Sequence, residues 1–203
     1  MTITEIHKQR GRLYQLEIDG EPAVKVDMRT FDESSYKVGS VLDDESLHEL
    51  IRQSDERRAK EKAFYLLSMR DHSRVELQKK LENDANAEIA ARTAERMEEL
   101  GLVNDEDYAY RLARDVMLRK LYPRRRAVQE LQTRGIERDL ANEAVEAVET
   151  DDEQLALQMI ERKYKQKLNS EEGKRKVTAA LARFGFGYES IRRAMRLYEQ
   201  ESP

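Results

Sequence analysis

The segments VELQKKLENDAN (75–86), RRAVQELQTRGI (125–136) and RKVTAALARFGF (175–186) fall into register when shifted by 50 residues. Three columns result: Leu77, Ala127 and Val177; Leu81, Leu131 and Leu181; Ala85, Gly135 and Gly185. Members of successive columns stand four apart. The first two columns therefore share one helix face, and the third marks where that helix stops, with glycine in two of three cases. Farther on, Ala94, Ala144 and Ala194 again differ by 50 in number and give each following helix a small contact residue. A helical stretch also precedes each segment, at 58–69, at Asp105 to Lys120 and at Glu153 to Lys167. Periodicity of this kind marks tandem repeats of one supersecondary unit. The fold class expected is all-α, with tandem three-helix repeats in an elongated curved array.

Working outward, 12–26 (RLYQLEIDGEPAVKV) places Leu16 and Ile18 before an Asp19-Gly20 pair, with Val24 and Val26 after it. Period-two apolar residues around Asp-Gly predict a β-hairpin. Ile3 to Lys8 can add a third strand, and Lys37 to Val41 closes the region. So small a β element rests on its neighbour and cannot fold alone. From Asp43 the period turns helical, with Leu47, Leu50 and Ile51 on a first helix capped by Asp43 or Asp44, and Ala63, Leu66 and Leu67 on a second over 58–69. The expected divisions are 1–42, 43–103, 104–149 and 150–203.

Composition supports small helical units. Charged residues make up 38% of the chain and aromatics 6%, with no tryptophan, so a single thick core is not expected. Mean hydropathy is −0.87, and no apolar run approaches the roughly 18 residues that span a bilayer. The N-terminus lacks the apolar region of a signal peptide, and there is no cysteine. A cytoplasmic protein with no membrane association is expected. The formal net charge of −4 conceals segregation. Glu82 to Asp107 holds nine acidic and two basic residues, and Arg119 to Arg138 seven basic and two acidic. Glu137 to Glu153 then carries eight acids against one arginine, and Glu161 to Arg183 eight basic residues against three acids.

Four segments carry a family resemblance: YLLSMRDHSRVELQKKL (65–81), ELGLVNDEDYAYRLARD (99–115), RRRAVQELQTRGIERDLANEAV (124–145) and KVTAALARFGFGYESIRRAM (176–195). Together they resemble successive signatures of the RecX family over about residues 55–199. Leu100 to Asp105 followed by Tyr108-Ala109 looks like that family's junction between the first and second repeats. There Gly101 ends a helix, Asn104 or Asp105 caps the next, and Tyr108 and Ala109 begin its buried face. The chain departs from the family pattern at Asn83-Asp84-Ala85, and at Leu121-Tyr122-Pro123 where members often have glycine. The resemblance implies a bacterial protein that binds RecA nucleoprotein filaments, lies along their groove, and usually inhibits filament extension, ATP hydrolysis and strand exchange.

Catalytic chemistry is not expected. His7, His48 and His72 lie in different segments without paired ligand spacing, so solvated or capping roles are expected, with no metal and no cofactor. Gly185-Phe186-Gly187 follows a helix rather than a strand and reads as a helix terminator. Asp43-Asp44 and Asp151-Asp152 precede helices, where carboxylates suit the helix dipole.

The basic residues are more informative. Arg124, Arg125 and Arg126 open a helix after Pro123, where the dipole disfavours cations, so they are expected to be exposed and to meet an anionic partner. Lys174, Arg175 and Lys176 occupy almost the same place in the third repeat, and Arg74 is the nearest counterpart in the first. Arg183, Arg192, Arg193 and Arg196 can extend the stripe. The bland reading is a set of solvated faces. The partners considered are the RecA filament and single- or double-stranded DNA, bound by a monomer. The alternative is a free-standing DNA-binding module of helix-turn-helix type, but no dimerisation heptad or single recognition helix is evident.

Overall fold

The computed structural model describes residues 1–201. It divides into two compact units, Met1–Val103 and Asn104–Pro203.

The first unit begins with three antiparallel strands in sequential order, β1 (Ile3–Gln9), β2 (Leu13–Ile18) and β3 (Glu21–Asp27). Asp19 and Gly20 take φ of 53° and 88°, the left-handed pair that matches a tight hairpin to strand twist. Leu16 lies between Ile6 and Val24 in register. Ile3, Leu16 and Val26 turn inward onto Phe31, Leu42 and Leu50, and this shared cluster is why the sheet needs its neighbour. The third strand is thus present, and Val41 closes the region by bridging to Thr2. A short helix, α1 (Met28–Glu33), follows the sheet directly, capped by the Asp27 carboxylate accepting from the Thr30 N–H.

Where the apolar pattern suggests two helices, the structure has one, α2 (Asp44–Met69). The polar link between the apolar stretches contains no glycine or proline, and Arg52 ties it together by reaching Glu49 and Glu56, each at 2.6 Å. Hydrogen bonds from Arg52 and then Gln53 hold the half-buried Glu49 carboxyl down at about 2. Ser54, which reads as a break in the apolar stripe, is buried because its Oγ accepts the Asp27 N–H at 2.7 Å. The first half of α2 packs on the sheet. Its second half supplies Ala63 to a core completed by α3 (Arg74–Leu81) and α4 (Ala87–Glu99), with Leu77, Leu81, Ala90, Ala94 and Met97.

The second unit contains two further three-helix groups: α5 (Asp105–Arg114), α6 (Arg124–Thr133) and α7 (Arg138–Glu146); then α8 (Asp152–Met159), α9 (Glu171–Phe184) and α10 (Tyr188–Glu201). Their apolar faces merge into one cluster. The first two aligned columns are core positions throughout. Leu81, Leu131 and Leu181 are fully buried, as are Ala94, Ala144 and Ala194, and Leu77, Ala127 and Val177 lie beside them. Gly135 and Gly185 end α6 and α9 with φ of 82° and 118°. The N–H of Ile136 donates to the Leu131 carbonyl and that of Phe186 to Leu181, which returns a buried apolar side chain onto the core leucine. At the junction between the units, Asn104 caps α5 by accepting from the Asp107 N–H, and Tyr108 and Ala109 are buried as expected.

The leading helices of both groups end in widened turns, π-helical at Asp115–Arg119 and at Ile160–Tyr164. Neighbouring residues there, Val116 with Met117 and Met159 with Ile160, are buried together. Leu121, in the stretch Leu121-Tyr122-Pro123, adopts a φ of 57° while its side chain is buried. Left-handed backbone disfavours leucine, and its apolar burial offsets that cost.

Between α2 and α3 lies His72, 3% exposed. Its Nδ1 sits 3.1 Å from Glu76 Oε2, off line for a hydrogen bond, and has no hydrogen-bond partner among the described residues. Burial pushes its pKa below the ordinary 6.5, against the pull of Glu76. For Glu76, burial acts upward but is outweighed by the Arg70 and His72 interactions, leaving a lowered pKa.

Two outcomes follow for stability. Leu131→Ala should destabilise the second unit by about 2–5 kcal/mol in denaturant unfolding, the range for emptying a filled aliphatic site. The unfolded chain binds a proton at His72 more readily than the folded one, so this stabilisation is present above pH 6.5 and is lost as pH falls through the depressed folded value. Protection factors of the amides across α3 and α4, with the intrinsic pH dependence of exchange divided out, should therefore fall on acidification below 6.5, and His72→Gln should flatten that dependence.

Candidate functional site

Every residue expected at the working face is described, but they fall into distinct roles. Helix α6 has no side-chain cap of its own, since Pro123 stands at that position. The missing acceptor comes from α8: Asp152 Oδ1 takes the Arg124 N–H at 2.8 Å. The Arg124 guanidinium turns away from the helix start and donates to the Val145 carbonyl in the last turn of α7 at 3.4 Å and to the Thr150 carbonyl beyond it at 2.7 Å. The cation thus lies at the carboxyl end of one helix, where a dipole favours it, and a carboxylate lies at the amino end of another.

Arg126 is also committed internally. Its guanidinium carbon stands 4.2 Å from the Tyr122 ring centre and 4.1 Å from that of Phe184. One of its N–H groups donates to the Phe184 carbonyl at 3.0 Å. Tyr122 and Phe184 meet edge to face at 5.5 Å, and Phe184 stacks on Phe186. The expectation that all three arginines are solvent-exposed therefore requires correction: Arg124 and Arg126 are half-buried braces, and only Arg125 is exposed.

In the third group Lys174 is half-buried and joins the two ends of a helix pair, 3.2 Å from Glu171 on α9 and 2.6 Å from Glu199 on α10. Hydrogen bonds to Glu199 and then Glu171 raise its pKa. Lys176 pairs with Glu172 and Arg192 with Glu189, each at 2.6 Å. Arg193 lies 3.2 Å from Glu189 and 3.8 Å from Glu153 on α8. Hydrogen bonding to Arg192 first, and also to Arg193, lowers the Glu189 pKa. In the first unit Arg74 is 3.4 Å from Glu98. Arg125, Arg175, Arg183 and Arg196 are exposed and make no ion pair, hydrogen bond or ring contact among the described residues.

One face of α9 forms the wall of a groove of 690 Å³ shared with the irregular segment before it, where Tyr164, Lys167, Lys176 and Arg183 meet Gln166 and Asn169. Gly173 permits this close approach, because a β-carbon there would meet the Lys167 carbonyl oxygen at 1.8 Å.

The family models for RecX match its second three-helix domain at residues 104–145 and its third at 151–195. A relative named Regulatory protein RecX, from Caldanaerobacter subterraneus subsp. tengcongensis, is 30% identical over 97% of this chain and 100% of its own length. The chain belongs to the RecX family. Another Regulatory protein RecX, from Clostridioides difficile, is 27% identical over 79% of this chain and 77% of its own. A crystal structure of regulatory protein RecX shares the fold at a TM-score of 0.62 and 20% identity, covering 98% of this chain and 99% of that one. RecX from Lactobacillus salivarius gives the same score and identity over 73% of this chain and 99% of its own. The family is thus one of regulatory proteins, and no helix among the described residues is long and apolar enough to cross a membrane.

Tyr164 and Lys167 were not among the residues singled out from the sequence. The signal was the basic run 162–167, whose side chains could not be assigned to a face while the segment read as regular helix. The widened turn and the short 3-10 turn at Lys165–Lys167 place them beside α9.

The division of roles among the arginines has a direct consequence. Arg126→Ala should lower stability by about 1–3 kcal/mol through loss of two cation–ring contacts and a charged hydrogen bond. Arg125→Ala should change stability by less than about 0.5 kcal/mol, and paired denaturant titrations distinguish the two.

Proposed function

We propose that this protein regulates RecA–DNA filaments by binding along them, restraining filament extension, ATP hydrolysis and strand exchange by contact alone, with no catalytic step of its own. The observation that carries the reading is that Arg125, Arg175, Arg183 and Arg196, among the exposed guanidinium groups of the second unit, are left without internal partners in a chain of the RecX family. A guanidinium presents a planar fork of donors that matches phosphate or carboxylate oxygens, and an exposed one gives up little to engage them. The net charge of −4 opposes indiscriminate attraction to bulk DNA. A repetitive chain also suits a repetitive partner better than a short, symmetric operator does.

The test is RecA ATP hydrolysis on single-stranded DNA, followed with increasing amounts of this protein. Hydrolysis and strand exchange should fall for the parent. The variant Arg125→Glu/Arg175→Glu/Arg183→Glu should remain folded by circular dichroism and inhibit far less. A parent protein without effect on RecA would overturn the functional reading, and a folded triple variant that inhibits as well as the parent would overturn the assigned surface. Tight, sequence-selective binding to duplex DNA in the absence of RecA would instead support a free-standing DNA-binding module.

A further inference from the structure

The outer face of the sheet brings together three side chains that are distant from the basic residues and play no part in the packing of β1–β3 on α2. Glu5 and His7 stand two residues apart on β1 and so project from the same side of the strand. Glu17 on β2 is the cross-strand partner of Glu5. His7 Nε2 lies 3.1 Å from Glu5 Oε2 and 3.1 Å from Glu17 Oε1. One ligand atom from each residue falls within a span of 4.8 Å. Like charges directly opposite on antiparallel strands repel. Glu5 and Glu17 are such a pair, with one imidazole edge between them.

We propose that Glu5, His7 and Glu17 form a binding site for a divalent transition-metal ion of the zinc class. His7 would supply Nε2 and each glutamate one oxygen, with the remaining coordination position left to water. The donor set fits. Zinc takes imidazole nitrogen and carboxylate oxygen at about 2.0–2.2 Å, which in tetrahedral geometry sets ligand atoms roughly 3.3–3.5 Å apart. The observed 3.1 Å separations need only a small opening. Calcium and magnesium call for six or more oxygens, and a ring nitrogen among two carboxylates does not suit them. All three side chains reach solvent, with 63%, 47% and 23% exposure for Glu5, His7 and Glu17, so an ion has access without any movement of the fold. The ion would neutralise the cross-strand repulsion and clamp the edge strand β1, which carries Ile3 into the core. Sequence spacing hides this site because Glu17 reaches it only through strand pairing.

The experiment titrates zinc alone into the full chain by calorimetry and by competition with a chromophoric chelator. One saturable site is expected, and zinc should raise the melting temperature of the parent. His7→Ala should abolish both effects while keeping the parent's circular dichroism. Glu17→Gln should weaken binding at least about tenfold, since removing a direct ligand costs no less than removing its supporting partner. His48→Ala, which removes the exposed histidine of α2, should bind as the parent does. In long-range proton–nitrogen spectra the His7 Nε2 resonance should move on adding zinc while those of His48 and His72 stay in place. The proposal is overturned by absence of saturable binding in excess zinc, by parent-like binding in His7→Ala or Glu17→Gln, or by a zinc-dependent shift confined to another histidine.

Discussion

The chain reverses direction immediately after Leu81, Leu131 and Leu181, and each three-helix group depends on that reversal. The leucine is fully buried in every case, so the turn must occur within one helical turn of a residue that cannot move. In the second and third groups the reversal is a left-handed glycine followed by an apolar residue, Ile136 or Phe186, hydrogen-bonded back to the leucine's carbonyl. The same contact both ends the helix and seals the core. The first group solves the problem without glycine: the N–H groups of Asp84 and Ala85 both reach the Leu81 carbonyl, and Asn86 then caps α4. Once the reversal is fixed, the following helix meets the core through an alanine, Ala94, Ala144 or Ala194, with no exposed surface. Close helix approach lets cores this poor in aromatic residues close at all.

That dependence explains why so much of the fold was legible. Leucine and glycine columns at a constant spacing report directly on burial and on backbone reversal, two constraints that act locally and recur. The hairpin was legible for a similar reason, because Asp19-Gly20 and period-two apolar residues specify turn and register together. What escaped were features set by contacts distant in sequence. Ser54 interrupts the apolar stripe of α2, yet it is buried on the Asp27 N–H from the sheet, and the helix runs through. The widened turns at Asp115–Arg119 and Ile160–Tyr164 leave no glycine or proline as a marker.

The arginines at the start of α6 show the same limit in the candidate site. Three cations at a helix amino terminus conflict with the local dipole, and sequence alone offers an external anion as the resolution. The fold offers another: Asp152 serves the helix start, while the Arg124 guanidinium extends to carbonyls at and just beyond the carboxyl end of α7. Arg126 fills the space between Tyr122 and Phe184, a ring pair assembled from segments 62 residues apart in number. The inference from dipole to ligand therefore held its physics but not its partner, since an internal acceptor satisfies the same electrostatics. Only Arg125 keeps the free guanidinium that the argument requires.

Internal pairing also bounds how the proposed surface can act. If Arg125, Arg175, Arg183 and Arg196 were the whole phosphate-binding set, full engagement would release counterions for four phosphates, a salt slope of about 3–4 at roughly 0.9 per contact. On a chain of net charge −4 such a term is modest, so on this reading further affinity would come from contacts of another kind made at the same time. On the proposed function, a nucleoprotein filament would supply both, DNA phosphates for the arginines and a protein lattice for the remaining surface. On the same reading, the acids that pair with Lys174, Lys176, Arg192 and Arg193 would act beyond stability, by reducing the number of free cations with which naked DNA could compete against the filament.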